Sequence, residues 1–125
     1  MLEVQSLASA SPPQSTNPHE RHPGDVCHLV AACVAFDFGL DAATLETGLR
    51  GSQRMAFARQ VAMYLAHVGF GLSFEAVGRA FGRDRTTVAH ACRVVEDGRD
   101  DIWFDCRVAT LELICRRVAT GGDDR

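Results

Sequence analysis

At 125 residues the chain has room for one domain built on one hydrophobic core. A hydrophobic fraction of 46% with no apolar run near ~18 residues excludes a membrane span, and the N-terminus lacks the basic-then-apolar order of a secretory signal. Net charge is -3 but unevenly spread: seven arginines against two acids between positions 50 and 93 give +5, and six arginines against fourteen acids give -8 elsewhere.

Residues 1–24 are rich in Ser, Pro, Gln and Asn and read as a disordered tail, because they bury too little surface to offset ordering entropy. His19, His22 and His28 lie close in sequence, but no cysteine or carboxylate pattern completes a metal site. A first helix is predicted over 25–38, with Val26, Leu29, Val30, Cys33 and Phe36 at helical spacing and Gly39 as its C-cap. Asp41 N-caps a short helix through Leu45, Gly48 breaks it, and a loop over 48–53 carries Arg50.

A third helix is predicted over 53–68, with Met55, Ala58, Ala62 and Leu65 in one stripe supported by Val61, and with Arg54 and Arg59 at other angles. A cation near a helix N-terminus opposes the macrodipole, so Arg59 is either a solvated side chain or one that meets an external anion. Ser73 caps a shorter helix with its apolar face at Phe74, Val77 and Phe81. Gly78 in its middle costs about 1 kcal/mol relative to Ala and predicts close approach by another helix.

Gly82 then turns the chain into Asp84, an N-cap, and a helix over 85–97. Its inner stripe is Val88, Ala91, Cys92 and Val95; its outer face carries Arg85, Thr86, Arg93 and, at the edge, His90. Gly98 separates it from a last helix over 100–119, which Asp100 and Asp101 open. Phe104, Val108, Leu111, Cys115 and Val118 repeat there at four and three, a core-facing stripe too short for a coiled-coil seam. Residues 120–125 are a frayed tail.

Five cysteines, with no Cys-x-x-Cys pair, read as buried free thiols of a reducing cytoplasm. With no strand alternation the chain is all-α. No phosphate loop and no nucleophile, base and orienter set are present, so nucleotide, other cofactors, metal and enzymatic activity are not expected. Two helices joined by a glycine turn, with Arg and short hydroxyl side chains opening the second, describe a helix-turn-helix DNA reader. Threonine is a mediocre helix former, but its hydroxyl beside Arg suits phosphates and base edges.

The blocks Arg59-Gln60-Val61-Ala62-Met63-Tyr64-Leu65-Ala66, Leu72-Ser73, Val77-Gly78-Arg79-Ala80-Phe81-Gly82 and Arg83-Asp84-Arg85-Thr86-Thr87-Val88-Ala89-His90-Ala91-Cys92-Arg93 closely resemble the C-terminal DNA-binding domain of the bacterial replication initiator DnaA. The resemblance covers about 25–118 and is strongest from Arg59 to Glu96. It implies a small bundle of about six helices containing a helix-turn-helix, a fold also described as Trp-repressor-like, as one domain over 25–119. It implies that Arg59 enters the minor groove, that Asp84, Arg85, Thr86 and Thr87 address bases in the major groove, and that the loop carrying Arg50, with His90 and Arg93, meets phosphates, Arg54 being a further residue of the contact set. Gln60, Ser73 and Arg83 complete the implied contact set.

Two departures bear on binding. The family has His where this chain has Arg85, which only donates and typically reads guanine. Gly51, Gln53 and Phe57 fall where basic residues are common in the family, and each lost phosphate contact removes about 0.9 unit of salt slope. The resemblance also implies a reader standing without the ATPase module.

The expected function is sequence-specific binding of double-stranded DNA at DnaA-box-like sites, in replication initiation or transcription control, in the cytoplasm and on the nucleoid. The alternative is a protein-interaction module that keeps the fold, binds DNA weakly or without specificity, and meets a protein partner through the last helix.

Overall fold

A computed structural model describes residues 22–48 and 51–121. Among the described residues six α-helices run in order: α1 (Pro23–Phe38), α2 (Ala42–Thr47), α3 (Gln53–Tyr64), α4 (Phe74–Phe81), α5 (Arg85–Gly98) and α6 (Ile102–Ala119). There is no strand among the described residues. The tail expected over 1–24 lies outside the described residues up to position 21, as do positions 122–125 and Arg50.

α1 is the central helix, packed against α2, α3, α4 and α6. It begins two residues earlier than the sequence pattern predicts. The His22 ring accepts the Gly24 N–H at 2.9 Å, and Pro23 occupies the first turn, where its missing N–H costs nothing. Because neighbours crowd it on several sides, its buried set is Val26, Cys27, Val30, Ala31, Val34, Ala35 and Phe38. That rotates the expected face: Leu29 and Cys33 are half-buried, and Phe36 is 89% exposed. Gly39 ends the helix with φ 71°, where a Cβ would be strained.

α2 is capped by Asp41, which accepts from the Thr44 N–H at 2.9 Å. α3 buries Met55, Ala58, Val61 and Ala62 as the spacing requires. It does not continue as one α-helix to position 68. From Leu65 to Gly69 it relaxes into a π-helical turn with Leu65, Ala66 and Gly69 buried.

α4 and α5 form the helix-turn-helix. Ser73 Oγ accepts from the Ala76 N–H at 3.0 Å, and Gly82 ends α4 with φ 67°. Gly78 is forced by a close approach, though not by another helix. A Cβ there would lie 2.4 Å from the Arg83 carbonyl oxygen, so the turn packs on the helix that precedes it. Gly98 is the last residue of α5 rather than a separator, and the Phe104 ring lies 3.1 Å from where its Cβ would be.

α6 starts at Ile102 because Asp101 accepts from the Trp103 and Phe104 N–H groups. Its core stripe is Val108, Leu111, Cys115 and Ala119, with Phe104 half-buried. Val118, expected in that stripe, is 50% exposed, because the buried line drifts to the next position at the helix end. All five cysteines are free thiols. Burial pushes Cys27 up to about 12 and Cys92 to about 11, and raises Cys115 further beside Cys33. Cys106 departs from the expected burial and is exposed.

Candidate nucleic-acid interface

The start of α5 is built from its cap outward. Asp84 accepts from the Thr87 N–H at 2.9 Å, and the hydrogen bonds from Thr87 hold its carboxyl below the ordinary carboxylate value. The cap fixes the first turn while Val88, Ala91 and Val95 sink into the core. Arg85, Thr86 and Thr87 are therefore exposed, and His90 and Arg93 are exposed on the following turns. One helix end thus presents two guanidinium groups, two hydroxyls, an imidazole and an ionised carboxylate. That set can donate to phosphates and to purine edges and accept from exocyclic amines.

At the opposite end of α5, a polar network ties the helix to its neighbours. Tyr64 donates its hydroxyl to Glu96 at 3.0 Å, Arg99 donates to the same hydroxyl oxygen at 3.0 Å, and the Arg99 Nε donates to Asp105. Together they tie α3, the end of α5 and α6. Burial raises the Tyr64 pKa above its ordinary value, keeping the phenol a donor. Neither Tyr64 nor Arg99 stands out in the sequence as a positioning residue. Tyr64 and Glu96 are 32 positions apart, and no local spacing announces the pair.

The remaining predicted residues fall into different places. Ser73 is exposed, and its oxygen is used as the α4 cap. Gln60 is half-buried on α3. Arg54 is exposed and leans over the Phe38 ring at 5.7 Å; Arg107 of α6 covers that ring at 4.8 Å. The contact of Arg54 is with α1, not with the α4–α5 turn. Arg50 lies outside the described residues.

Arg59 and Arg83 are directed inward. Arg59 lies mid-helix in α3 and is 6% exposed. Its Nε donates to the Leu45 carbonyl at 2.8 Å and its Nη2 to the Thr44 carbonyl at 3.4 Å. Arg83 donates to the Phe81 carbonyl at 2.9 Å and the Gly48 carbonyl at 2.8 Å. Both guanidinium groups therefore serve the C-terminal end of α2, where carbonyl oxygens and the negative pole of the helix favour cations. Burial, with the nearby Arg83 charge, lowers the Arg59 pKa from its ordinary value, which leaves an arginine charged. The expectation that Arg59 meets an external anion or solvent is thus met differently: its described partners are carbonyls of this chain.

Of the three histidines considered for a metal, His22 caps α1, His28 lies 3.0 Å from Glu46, and His19 is outside the described residues. No helix among the described residues is long and apolar enough to cross a membrane.

A family model described as the bacterial dnaA protein helix-turn-helix matches residues 27–95. The chromosomal replication initiator protein DnaA of Azoarcus sp. (strain BH72) is 52% identical over 63 residues, covering 47% of this chain and 13% of that protein. DnaA 2 of Chlamydia trachomatis is 47% identical over 51 residues, covering 38% of this chain and 11% of that protein. A crystal structure of a DNA replication initiation factor superposes with a TM-score of 0.71 at 31% identity, covering 80% of this chain and 31% of that one. The chain spans between 11% and 14% of the length of such curated relatives.

Proposed function

The chain belongs to the bacterial DnaA helix-turn-helix family, and from that premise we propose that it binds double-stranded DNA at DnaA-box-like sites and acts in control of replication initiation or of transcription on the nucleoid. The observation that carries this reading is the exposed, capped start of α5, where Arg85, Thr86 and Thr87 stand free of the core beside Asp84. In this reading the first turn of α5 lies in the major groove. Thr86 and Thr87 address bases, Arg85 reads a guanine, and His90 and Arg93 meet phosphates.

The test is binding of the purified chain to a duplex carrying a DnaA box and to a scrambled duplex at near-physiological salt. Specific readout gives a gap of ~10³-fold or more. Thr86→Ala is expected to cost about 1–3 kcal/mol of specific binding, and Arg85→His to move base preference at one step of the site. Equal, weak binding to both duplexes refutes the reading.

One observation favours a second reading, a protein-interaction module with weak DNA binding. Arg59 and Arg83, two cations of the implied contact set, are engaged by backbone carbonyls. Arg59 addresses a minor groove only by leaving Leu45 and Thr44. Duplex binding that does not distinguish a DnaA box from a scrambled duplex, with no loss on Arg59→Ala beyond the loss of fold stability, supports this second reading.

A further inference from the structure

The face of α6 turned away from the core has its own pattern. Trp103, Cys106, Thr110, Leu113 and Arg117 are all exposed and follow one another at three, four, three and four residues. At 3.6 residues per turn this line lies roughly opposite the buried line through Val108, Leu111 and Cys115. Trp103 is 81% exposed and Leu113 66%, flanked by Ile102 at 67% and Ile114 at 44%. Thr110 donates its hydroxyl to the Cys106 carbonyl at 2.9 Å, which leaves its methyl group for the stripe. Exposed apolar groups grouped on one helix face in this way mark an interaction surface.

Charge identifies the occupant. The N-terminal end of α6 carries Asp100 and Asp101, and the C-terminal end carries Arg117. Neither Asp100 nor Arg117 has an ion pair among the described residues, whereas Arg107 is paired with Asp37 and Arg116 with Glu112. Acid at one end and base at the other make the face complementary to itself when reversed. Antiparallel pairing also sets opposed helix dipoles end to end. In the antiparallel register that sets Trp103 opposite Leu113 and Cys106 opposite Thr110 of the other copy, Arg117 falls opposite position 99, one residue from Asp100.

We propose that this face of α6 pairs with the same face of a second copy, antiparallel, to form a twofold dimer. α6 packs against α1 and the π-helical turn, and the proposed stripe contains no residue of α4 or α5. The pairing is independent of the DNA reading.

The test uses the whole chain without DNA. Sedimentation equilibrium over ~1–200 μM protein is expected to show a monomer–dimer equilibrium. Trp103 is the sole tryptophan, so its emission is expected to move to the blue as the dimer forms. Trp103→Glu and Leu113→Glu are each expected to weaken the dimer by roughly tenfold or more while helicity is kept, since both side chains are solvent-facing. Asp100→Arg or Arg117→Asp alone is expected to weaken it, and the double exchange to restore it. A monomer across the whole range overturns the proposal. So does a dimer that survives both glutamate variants, or one that the double exchange fails to restore. Duplex binding by the same variants is read separately: a monomeric variant that holds its duplex leaves the DNA reading intact, and a dimer that ignores DNA removes that reading alone.

Discussion

Arg59 shows how one buried residue can be read two ways until its neighbours are known. In sequence it is an arginine at an angle away from the apolar stripe of α3. In the fold it is enclosed, and its two described acceptors come from the end of α2, fourteen and fifteen positions away. Arg59→Ala is expected to lower stability by about 1–3 kcal/mol, because Leu45 and Thr44 lose a charged donor in a buried place; urea unfolding measures it. Gly78 is the second decisive residue. An added methyl group would sit 2.4 Å from the Arg83 oxygen, so Gly78→Ala must displace the turn. The expected loss is about 2 kcal/mol in the same experiment, against the small gain that alanine brings to an unconstrained helix.

At the scale of elements, much was legible in the sequence because the signals are local. Asp41, Ser73 and Asp84 each accept the N–H three residues on, and Gly39 and Gly82 adopt the left-handed conformation that ends a helix. The start of α5 was legible for the same reason. The face of α1 was not, since a helix with neighbours on several sides has no single apolar stripe to find. Nor was the π-helical turn after Tyr64, which nothing in the spacing of Leu65 to Gly69 separates from an α-helix. The inward course of Arg59 and Arg83 depends on carbonyls supplied by another element, a matter of tertiary placement alone. The Asp41 and Asp84 caps also set a pH response. Their carboxyls are held below the ordinary value of 3.8, so their stabilisation is complete above that value and is lost as pH falls through the lower folded one. Melting temperature is expected to fall on acidification through this range, and Asp84→Asn to remove part of the fall.

For the molecule as a whole, the basic stretch between positions 50 and 93 is not all available as surface charge. Arg54, Arg79, Arg85 and Arg93 are exposed, while Arg83 is half-buried and Arg59 enclosed. The salt slope of duplex binding is therefore expected to correspond to a few phosphate contacts, each contributing about 0.9 to the slope. Arg93→Ala is expected to reduce it by about one such step without changing base preference, which a salt titration on two related duplexes checks. The network of Tyr64, Glu96, Arg99 and Asp105 acts at this scale too, since it couples the seating of α5 to α3 and α6.

The clasp of Arg59 on α2 also makes α2 a reporter. The Gly48 amide donates to the Thr44 carbonyl at 2.7 Å, the same oxygen that receives the Arg59 Nη2. Any duplex that drew Arg59 outward would strip this short helix of one of its two cations, and its amides would exchange with deuterium faster in the complex than in the free protein. The work of release would appear in the affinity as well: each ~1.4 kcal/mol spent on opening the clasp makes the apparent dissociation constant tenfold weaker. A helix that touches no base would then record, amide by amide, whether the minor groove had been entered.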